Sequence, residues 1–361
     1  MEVLCLQENL NKALQVVGRS VGEKTHMPIT ECVLMESEKD QLKLTCTDLK
    51  TTTSCWIPAE VTSDGKVAIS EKLISALVEQ MPTDVLHLKL LKTSLTIECN
   101  NSKKRLTIAD SSLFPPIINV TGVKTKIDAK EFKLALSQVV FAAAQEQSRP
   151  VLTGVHAEFS DMIQLIAADG YRLSFRSLPI LEPISEKVLV IPAQALSELS
   201  KILTDGEVEL IIGSGQVLFK FKNIEMIIYT LAGEYPLVHG LIPDRYDTRA
   251  VVNTQDLLRA IKISSVVAKL GGGNLFLEIT KTGVLLSADE EVGDTSDEIE
   301  AVVEGKPIKL IFDSRYLIEG ISAQNLEYIA VEVASVNGNN TGVFRPVGNS
   351  DYIYVVMPKS A

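Results

Sequence analysis

The sequence predicts an α+β protein made of three repeated domains, each with two helices packed on antiparallel sheets. Three observations carry this. The chain has 361 residues, more than one ordinary domain. Four kinds of landmark recur three times in the same order, about 120 residues apart. Between the landmarks apolar residues alternate with a period of two, whereas two stretches per unit follow the helical period. The expected domains are 1–122, 123–244 and 245–361.

Near the start of each unit lies a helical stretch: ENLNKALQVV, KEFKLALSQVV and QDLLRAIKISSVV. Their anchors Leu10, Phe132 and Leu257 are 122 and 125 residues apart. Leu10, Leu14 and Val17 share one helix face. Next, an alternating run closes on an aspartate, in LKLTCTDLK (Asp48), IQLIAADGYR (Asp169) and GVLLSADEE (Asp289), spaced 121 and 120. Each aspartate is expected to cap a turn after a strand.

A strand running into a second helix follows, in VAISEKLISALVEQM, LVIPAQALSELSKIL and LIFDSRYLIEGISAQ. Ile69, Ile191 and Phe312 anchor it, spaced 122 and 121. The expected buried faces include Leu73, Leu77 and Met81, then Leu196, Leu199 and Leu203. Each unit closes on Phe114-Pro115, Tyr235-Pro236 or Met357-Pro358, with the prolines 121 and 122 apart.

Strands are legible at Leu42, Leu44, Cys46; at Leu95, Ile97, Cys99; and at Phe219, Phe221. Asp64-Gly65, Asp205-Gly206 and Asn337-Gly338 read as turns between strands, giving about eight strands per unit. The final YIYVVMPKSA matches RLTIADSSLFPP and MIIYTLAGEYPL as a closing strand. Tyr352, Tyr354 and Val356 take one face, and Ile353, Val355 and Met357 the other.

Composition narrows the function. No apolar run approaches the roughly 18 residues of a membrane span. MEVLCLQENL does not read as a signal peptide. The five cysteines (Cys5, Cys32, Cys46, Cys55, Cys99) are odd in number and form no CxxC, which fits reduced thiols in the cytoplasm. His26, His87, His156 and His239 are scattered, so no metal site is expected.

The net charge of −11 argues against a generic nucleic-acid binder. The thirds carry −2, −4 and −5, yet basic residues gather around the helices: Lys12, Arg19, Lys24, Lys72, Lys124, Lys126, Lys130, Lys133, Lys201, Arg259, Lys262 and Lys269. Such faces could hold a polyanion along one surface, or could simply be solvated. No helix-turn-helix or zinc-finger pattern points to base readout.

Catalytic and cofactor motifs are absent. GSG (213–215) and KLGGGN match neither a phosphate loop nor a dinucleotide fingerprint and read as turns. No GxSxG elbow occurs. Asp48, Asp169 and Asp289 stand in separate domains and cannot form a carboxylate pair. His156 and His239 could be bases or ligands, but lone histidines are more often structural or exposed. The expectation is a protein without catalytic residues or cofactor.

TDLK (47–50), RPVLTGV (149–155), AADGYRLS (167–174), EYP (234–236) and YVVMP (354–358) resemble the bacterial sliding clamps, the β subunits of DNA polymerase III. The resemblance spans the whole chain. It implies the DNA-clamp fold and a head-to-tail homodimer forming a six-domain ring, with helices lining the hole and sheets outside. Such a ring encircles double-stranded DNA, slides, and tethers the polymerase during replication as a processivity factor. Its contacts would be to phosphates and non-specific. The alternative is a three-repeat interaction scaffold that does not encircle DNA.

The resemblance also implies residue roles. Lys24 and Lys72 match DNA-contacting positions, with Arg149 and Gln145 in an adjacent loop where Glu146 is a poor neighbour for phosphate. The strand KKRLTIAD would close the dimer, with Arg105 offering charge and Leu106 and Ile108 offering apolar contacts, against the helix near Val267. A groove between the second and third domains would receive short peptides, carrying glutamine and bulky apolar residues, from the polymerase catalytic subunit, the clamp loader and repair proteins. Its matching positions are Leu152, Gly170, Tyr171, Arg172 and Leu173; Pro236 and Leu241; and Val343, Val355, Met357 and Pro358. Two departures stand out. The chain ends Lys359-Ser360-Ala361 where the family has apolar residues and arginine, and LVHGLIP (237–243) lacks the usual arginines.

Overall fold

Six helices alternate with twenty-six strands among the described residues, two helices per repeat. They are α1 (Gln7–Val17), α2 (Glu71–Glu79), α3 (Ala129–Val139), α4 (Ala193–Ile202), α5 (Thr254–Ala268) and α6 (Ser314–Ser322). The computed structural model describes residues 1–22, 27–146, 148–291, 293–336 and 338–359. Expectations for Lys24, His26, Asn337, Ser360 and Ala361 lie outside the described residues.

Side-chain caps set two of the helix starts. The Asn253 carboxamide accepts from Gln255 N and Asp256 N at 3.0 and 3.2 Å ahead of α5. The Asp313 carboxylate accepts from Arg315 N at 2.9 Å ahead of α6. Each cap satisfies amides that the first helical turn leaves without a partner.

The chain forms two compact units, Met1–Ala129 with Lys201–Thr230, and Lys130–Ser200 with Leu231–Ala361. The second repeat contributes strands to both. In the first unit a five-stranded sheet accompanies an eight-stranded one. The larger sheet runs from the first repeat into the second where Ile224–Tyr229 pairs antiparallel with Thr51–Pro58. In the second unit a four-stranded sheet accompanies a nine-stranded one, whose seam is Arg172–Pro179 against Tyr352–Val356.

The two seams repeat in detail. Ile228 faces Thr51 in one and Val356 faces Arg172 in the other. Beyond them Tyr229 N donates to Lys50 O at 2.9 Å, and Met357 N to Tyr171 O at 2.8 Å. Asp48 accepts from Lys50 N and Thr51 N at 2.9 and 2.6 Å, as Asp169 does from Tyr171 N and Arg172 N at 2.9 and 3.0 Å. Both aspartates cap turns, as their spacing predicts. Asp289 does not: it stays within the strand Gly283–Glu290, opposite Asp294. There the hairpin runs two pairs longer, through Asp289–Asp294 and Glu290–Gly293.

Burial follows the predicted faces with one shift. Leu10, Leu14 and Val17 of α1 enter the first-repeat core with Leu42, Leu44 and Ile97. In α2 Ile74 and Val78 are buried and Leu73 is exposed, while Leu77 packs against the core and Met81 is buried just beyond the helix. Both phases are one i, i+4 stripe, and only the sheet beneath decides which is inward. The last strand feeds two cores. Tyr352, Tyr354 and Val356 pack with Leu257, Leu317 and Ile321, whereas Ile353 and Val355 pack with Leu152 and Leu173.

The repeats hold nine, eight and nine strands rather than a uniform eight. The additions Glu60–Ser63 and Val302–Gly305 are short edge strands with no clear apolar alternation. Asp205-Gly206 joins α4 to a strand rather than two strands. No described helix is long and apolar enough to cross a membrane.

All five cysteines are free and buried. Burial pushes the thiol of Cys5 to about 12 and that of Cys55 to about 11. Cys46 is raised as well, by burial and then by Glu71 and Cys32. An unfolded thiol ionises near 8.5, so the native state holds protons that the unfolded chain releases above that pH. Stability is therefore fully present below about pH 8.5 and falls as pH rises toward the folded values. Each such thiol withdraws about 1.4 kcal/mol per pH unit across that window. Urea unfolding of the first unit is expected at a lower midpoint at pH 9.5 than at pH 7.5; equal midpoints would contradict the assignment.

Candidate functional site

A groove of about 630 Å³ opens in the second unit. Four chain segments build most of it, and the local sequence explains each. In AADGYRLS, Asp169 closes a turn through the two amides above, and Gly170 takes φ +95°, a conformation that favours glycine. The turn throws Tyr171 outward, 64% exposed, and sends Arg172 inward.

Arg172 is the rigid element of the site. Its Nε donates to Asp169 at 3.0 Å and its Nη2 to Phe141 O at 2.9 Å, while Nη1 meets Glu319. The guanidinium also lies 4.4 Å over the Tyr316 ring and 5.4 Å over Phe141. Burial pulls its pKa down, but the Tyr354 hydroxyl and Glu319 carboxylate outweigh this, so the charge is secure.

The second segment is Pro150–Thr153, a single 3-10 turn that turns Leu152 into the groove floor beside Leu173 and Val355. The third follows Tyr235, whose buried hydroxyl accepts from Ala168 N at 2.9 Å. Burial raises that hydroxyl to about 12, so it stays protonated. Farther on, Arg345 holds Pro243 O at 2.8 Å and Glu332 at 3.0 Å. Between these two staples Pro236, Leu237, Val238 and Leu241 line the rim, and Leu237 is 96% exposed. The fourth segment is Val355 to Lys359, with Met357 44% exposed.

Ten of the eleven expected groove positions line this one cavity: Leu152, Gly170, Tyr171, Arg172 and Leu173 from the first two segments, and Pro236, Leu241, Val355, Met357 and Pro358 from the others. Val343 does not reach it; it is buried behind the floor in the same cluster. Sequence reasoning missed Leu310, Val336 and the stretch Asn339 to Thr341, which also line it. Leu310 lies in the strand of the LIFDSRYLIEGISAQ landmark and the others in Tyr328–Val336 and Asn339–Pro346, but nothing in those stretches marks a lining role. Leu237 and Val238 sit in LVHGLIP and could have been found there.

The other expected residues lie apart. Lys72 is exposed in the first turn of α2, Gln145 is exposed in the loop after α3, and Lys24 is outside the described residues. Arg149 is exposed and stands on the rim of the groove itself. Arg105 is exposed on Ser102–Thr107, the edge strand of the five-stranded sheet. Leu106 does not offer an outward apolar contact: it is buried in its own repeat's core, and Ile108 packs against that core. On such an edge the alternation sends every second side chain inward.

In α5, Val267 is half-buried, and the exposed apolar residues are its neighbours Ile263 and Val266, with Leu270 just beyond the helix. Next to this helix runs Gly293–Glu300, the edge strand of the four-stranded sheet, bearing Asp294, Asp297, Glu298 and Glu300. Among the described residues no cluster of His, Cys, Asp and Glu could hold a metal ion.

Three consecutive stretches match one family. Residues 1–118 match the N-terminal domain of the DNA polymerase III beta subunit, 126–237 its central domain and 239–360 its C-terminal domain. The chain belongs to the DNA polymerase III beta subunit family. Among relatives, the beta sliding clamp of Staphylococcus epidermidis is 28% identical over 357 residues, covering 94% of each chain. That of Staphylococcus aureus is 27% identical over the same span and coverage. The fold of this family member superposes on the Bacillus subtilis DNA polymerase sliding clamp with a TM-score of 0.95 at 23% identity, covering 100% and 99% of the chains. A Pseudomonas aeruginosa sliding clamp bound to griselimycin gives 0.93 at 21% identity, with both chains fully covered.

Proposed function

We propose that this protein is a non-catalytic DNA sliding clamp of replication, a homodimer that encircles duplex DNA and tethers its partners through the groove. The observation that carries the reading is the unbroken series of three beta-subunit domains along nearly the whole chain. The proposed domains are 1–122, 123–244 and 245–361, and the proposed location is the cytoplasm.

A head-to-tail ring needs two different, mutually complementary surfaces on each protomer. Two open sheet edges suit that role. One carries Lys103, Lys104 and Arg105; the other carries Asp294, Asp297, Glu298 and Glu300. Pairing them removes both edges and brings opposite charges together, with Ile263, Val266 and Leu270 beside the acidic strand. This arrangement explains why the exposed strands are charged rather than apolar. Arg105 and Val267 belong to this proposed interface, with Leu106 and Ile108 supporting it from inside.

DNA is proposed to meet Lys24, Lys72, Gln145 and Arg149 through phosphate contacts alone. Retention comes from topology, so contacts are weak enough to permit sliding. The groove suits an extended peptide: an apolar floor flanked by a few polar groups, with an adaptable methionine at the wall.

The test is retention. Loaded on a nicked circular plasmid, the protein is expected to remain through gel filtration and to be lost once the plasmid is linearised. Equal release from both forms refutes encirclement. Charge reversal, Lys72→Glu, is expected to lower loading without changing groove binding; a scaffold that ignores DNA would show no change in either.

A further inference from the structure

The segment after the last strand crosses between two sheets. Met357 N donates to Tyr171 O at 2.8 Å at one end, and Lys359 N donates to Ile311 O at 2.8 Å at the other. Met357 and Pro358 between them form one wall of the groove. These two backbone bonds fix the ends of the wall, and a side-chain anchor restricts it further.

Lys359 supplies such an anchor. Its ammonium donates to Gly272 O and to the Asn274 carboxamide oxygen, each at 2.9 Å, and lies 3.6 Å from the Asp313 carboxylate. Gly272 belongs to the turn that follows α5, and Asp313 is the residue that caps α6. The lysine is only about a third exposed. Two of the ammonium's three donors are thus hydrogen-bonded, and the Asp313 carboxylate adds an ion pair. A methionine at this position could donate to none of them.

We propose that Lys359 is a positioning residue of the groove, tethering the Met357–Pro358 wall to the turn after α5 and to the cap of α6. This rests on the groove being the peptide site. Lys359 itself lines the end of the groove, and its ammonium anchors the Met357–Pro358 wall that lines the cavity together with Leu152, Leu173 and Val355. A preorganised wall spares an incoming peptide the cost of ordering it.

Two variants and two readouts test this. Lys359→Met keeps the length of the stem and removes the donors; Lys359→Arg keeps the charge and donors. The probe is a fluorescein-labelled ten-residue peptide carrying a glutamine followed by leucine and phenylalanine. The second readout is the 13C-methyl resonance of Met357 in the free protein, assigned with Met357→Leu. Lys359→Met is expected to weaken the Kd roughly five-fold, mainly through faster release, and to shift or broaden the Met357 signal. Lys359→Arg is expected to restore both, and the urea midpoint is expected to stay unchanged in both variants. A Kd and a Met357 signal unaltered in Lys359→Met overturn the proposal, as does an arginine variant that behaves like the methionine one. If the unmodified protein does not bind the peptide, the groove reading falls, and the Met357 resonance alone then decides the tether.

Discussion

Replacing Arg172 by alanine is expected to destabilise the second unit by roughly 3 kcal/mol and to abolish peptide binding in the groove. The guanidinium serves Asp169, Glu319 and Phe141 O together and is sandwiched near Tyr316 and Phe141. Glu319 is partly exposed and regains water when the arginine leaves, so its share of the loss is small. Asp169 and Phe141 O are less fortunate, because the cavity left by the side chain is walled by aromatic rings. Arg172→Lys is expected to recover under half of the loss, since one ammonium cannot span acceptors on three elements in the guanidinium's fork geometry. Urea unfolding followed by the second-unit transition reads the stability, and peptide titration reads the groove. An alanine variant as stable as the parent would show that these contacts are geometric coincidences.

Gly320→Ala is expected to be costly, by about 3 kcal/mol, although alanine is the better helix former by about 1 kcal/mol. Gly320 lies inside α6, and a Cβ there would overlap the ring of Tyr354. That ring has no room to retreat. Its hydroxyl donates to Tyr316 O at 2.9 Å, and Phe141 and Phe344 pack against it with centroids 5.5 and 6.1 Å away. The overpacking therefore outweighs the helix propensity, and the sign of the effect is the test. A variant with an unchanged or raised melting temperature would mean that the helix and the last strand can separate at little cost.

Much of the architecture was legible from the sequence because periodicity survives low identity. Leu10, Phe132 and Leu257 all prove to be buried anchors of the first helix of a repeat. The strand-to-helix junctions at Ile69, Ile191 and Phe312 are real in all three. Elements without a repeating apolar pattern were harder to see. The short edge strands Glu60–Ser63 and Val302–Gly305 have little burial to pattern them. On α2 Leu77 and Met81 meet the core as expected, but Ile74 rather than Leu73 fills the first turn, since the two are equally apolar and only packing distinguishes them.

The groove shows the same division. Its motif residues were visible because turns demand particular chemistry: Asp169 to cap, Gly170 for a positive φ, Pro236 after a stapled tyrosine. The strand residues that complete it, Leu310 and Val336 among them, carry no such mark.

By itself, then, the sequence determined the repeat, the class of each main element and the turn that aims Arg172, because these depend on local periodicity and local hydrogen bonding. Only the tertiary structure decided which side chains share a cavity. It seated Tyr354 in the slot of Gly320, kept Leu106 within its own core, and brought Lys359 to acceptors on two other elements. Those outcomes depend on distances between residues far apart in the chain, and alternation or spacing along a single strand holds no record of them.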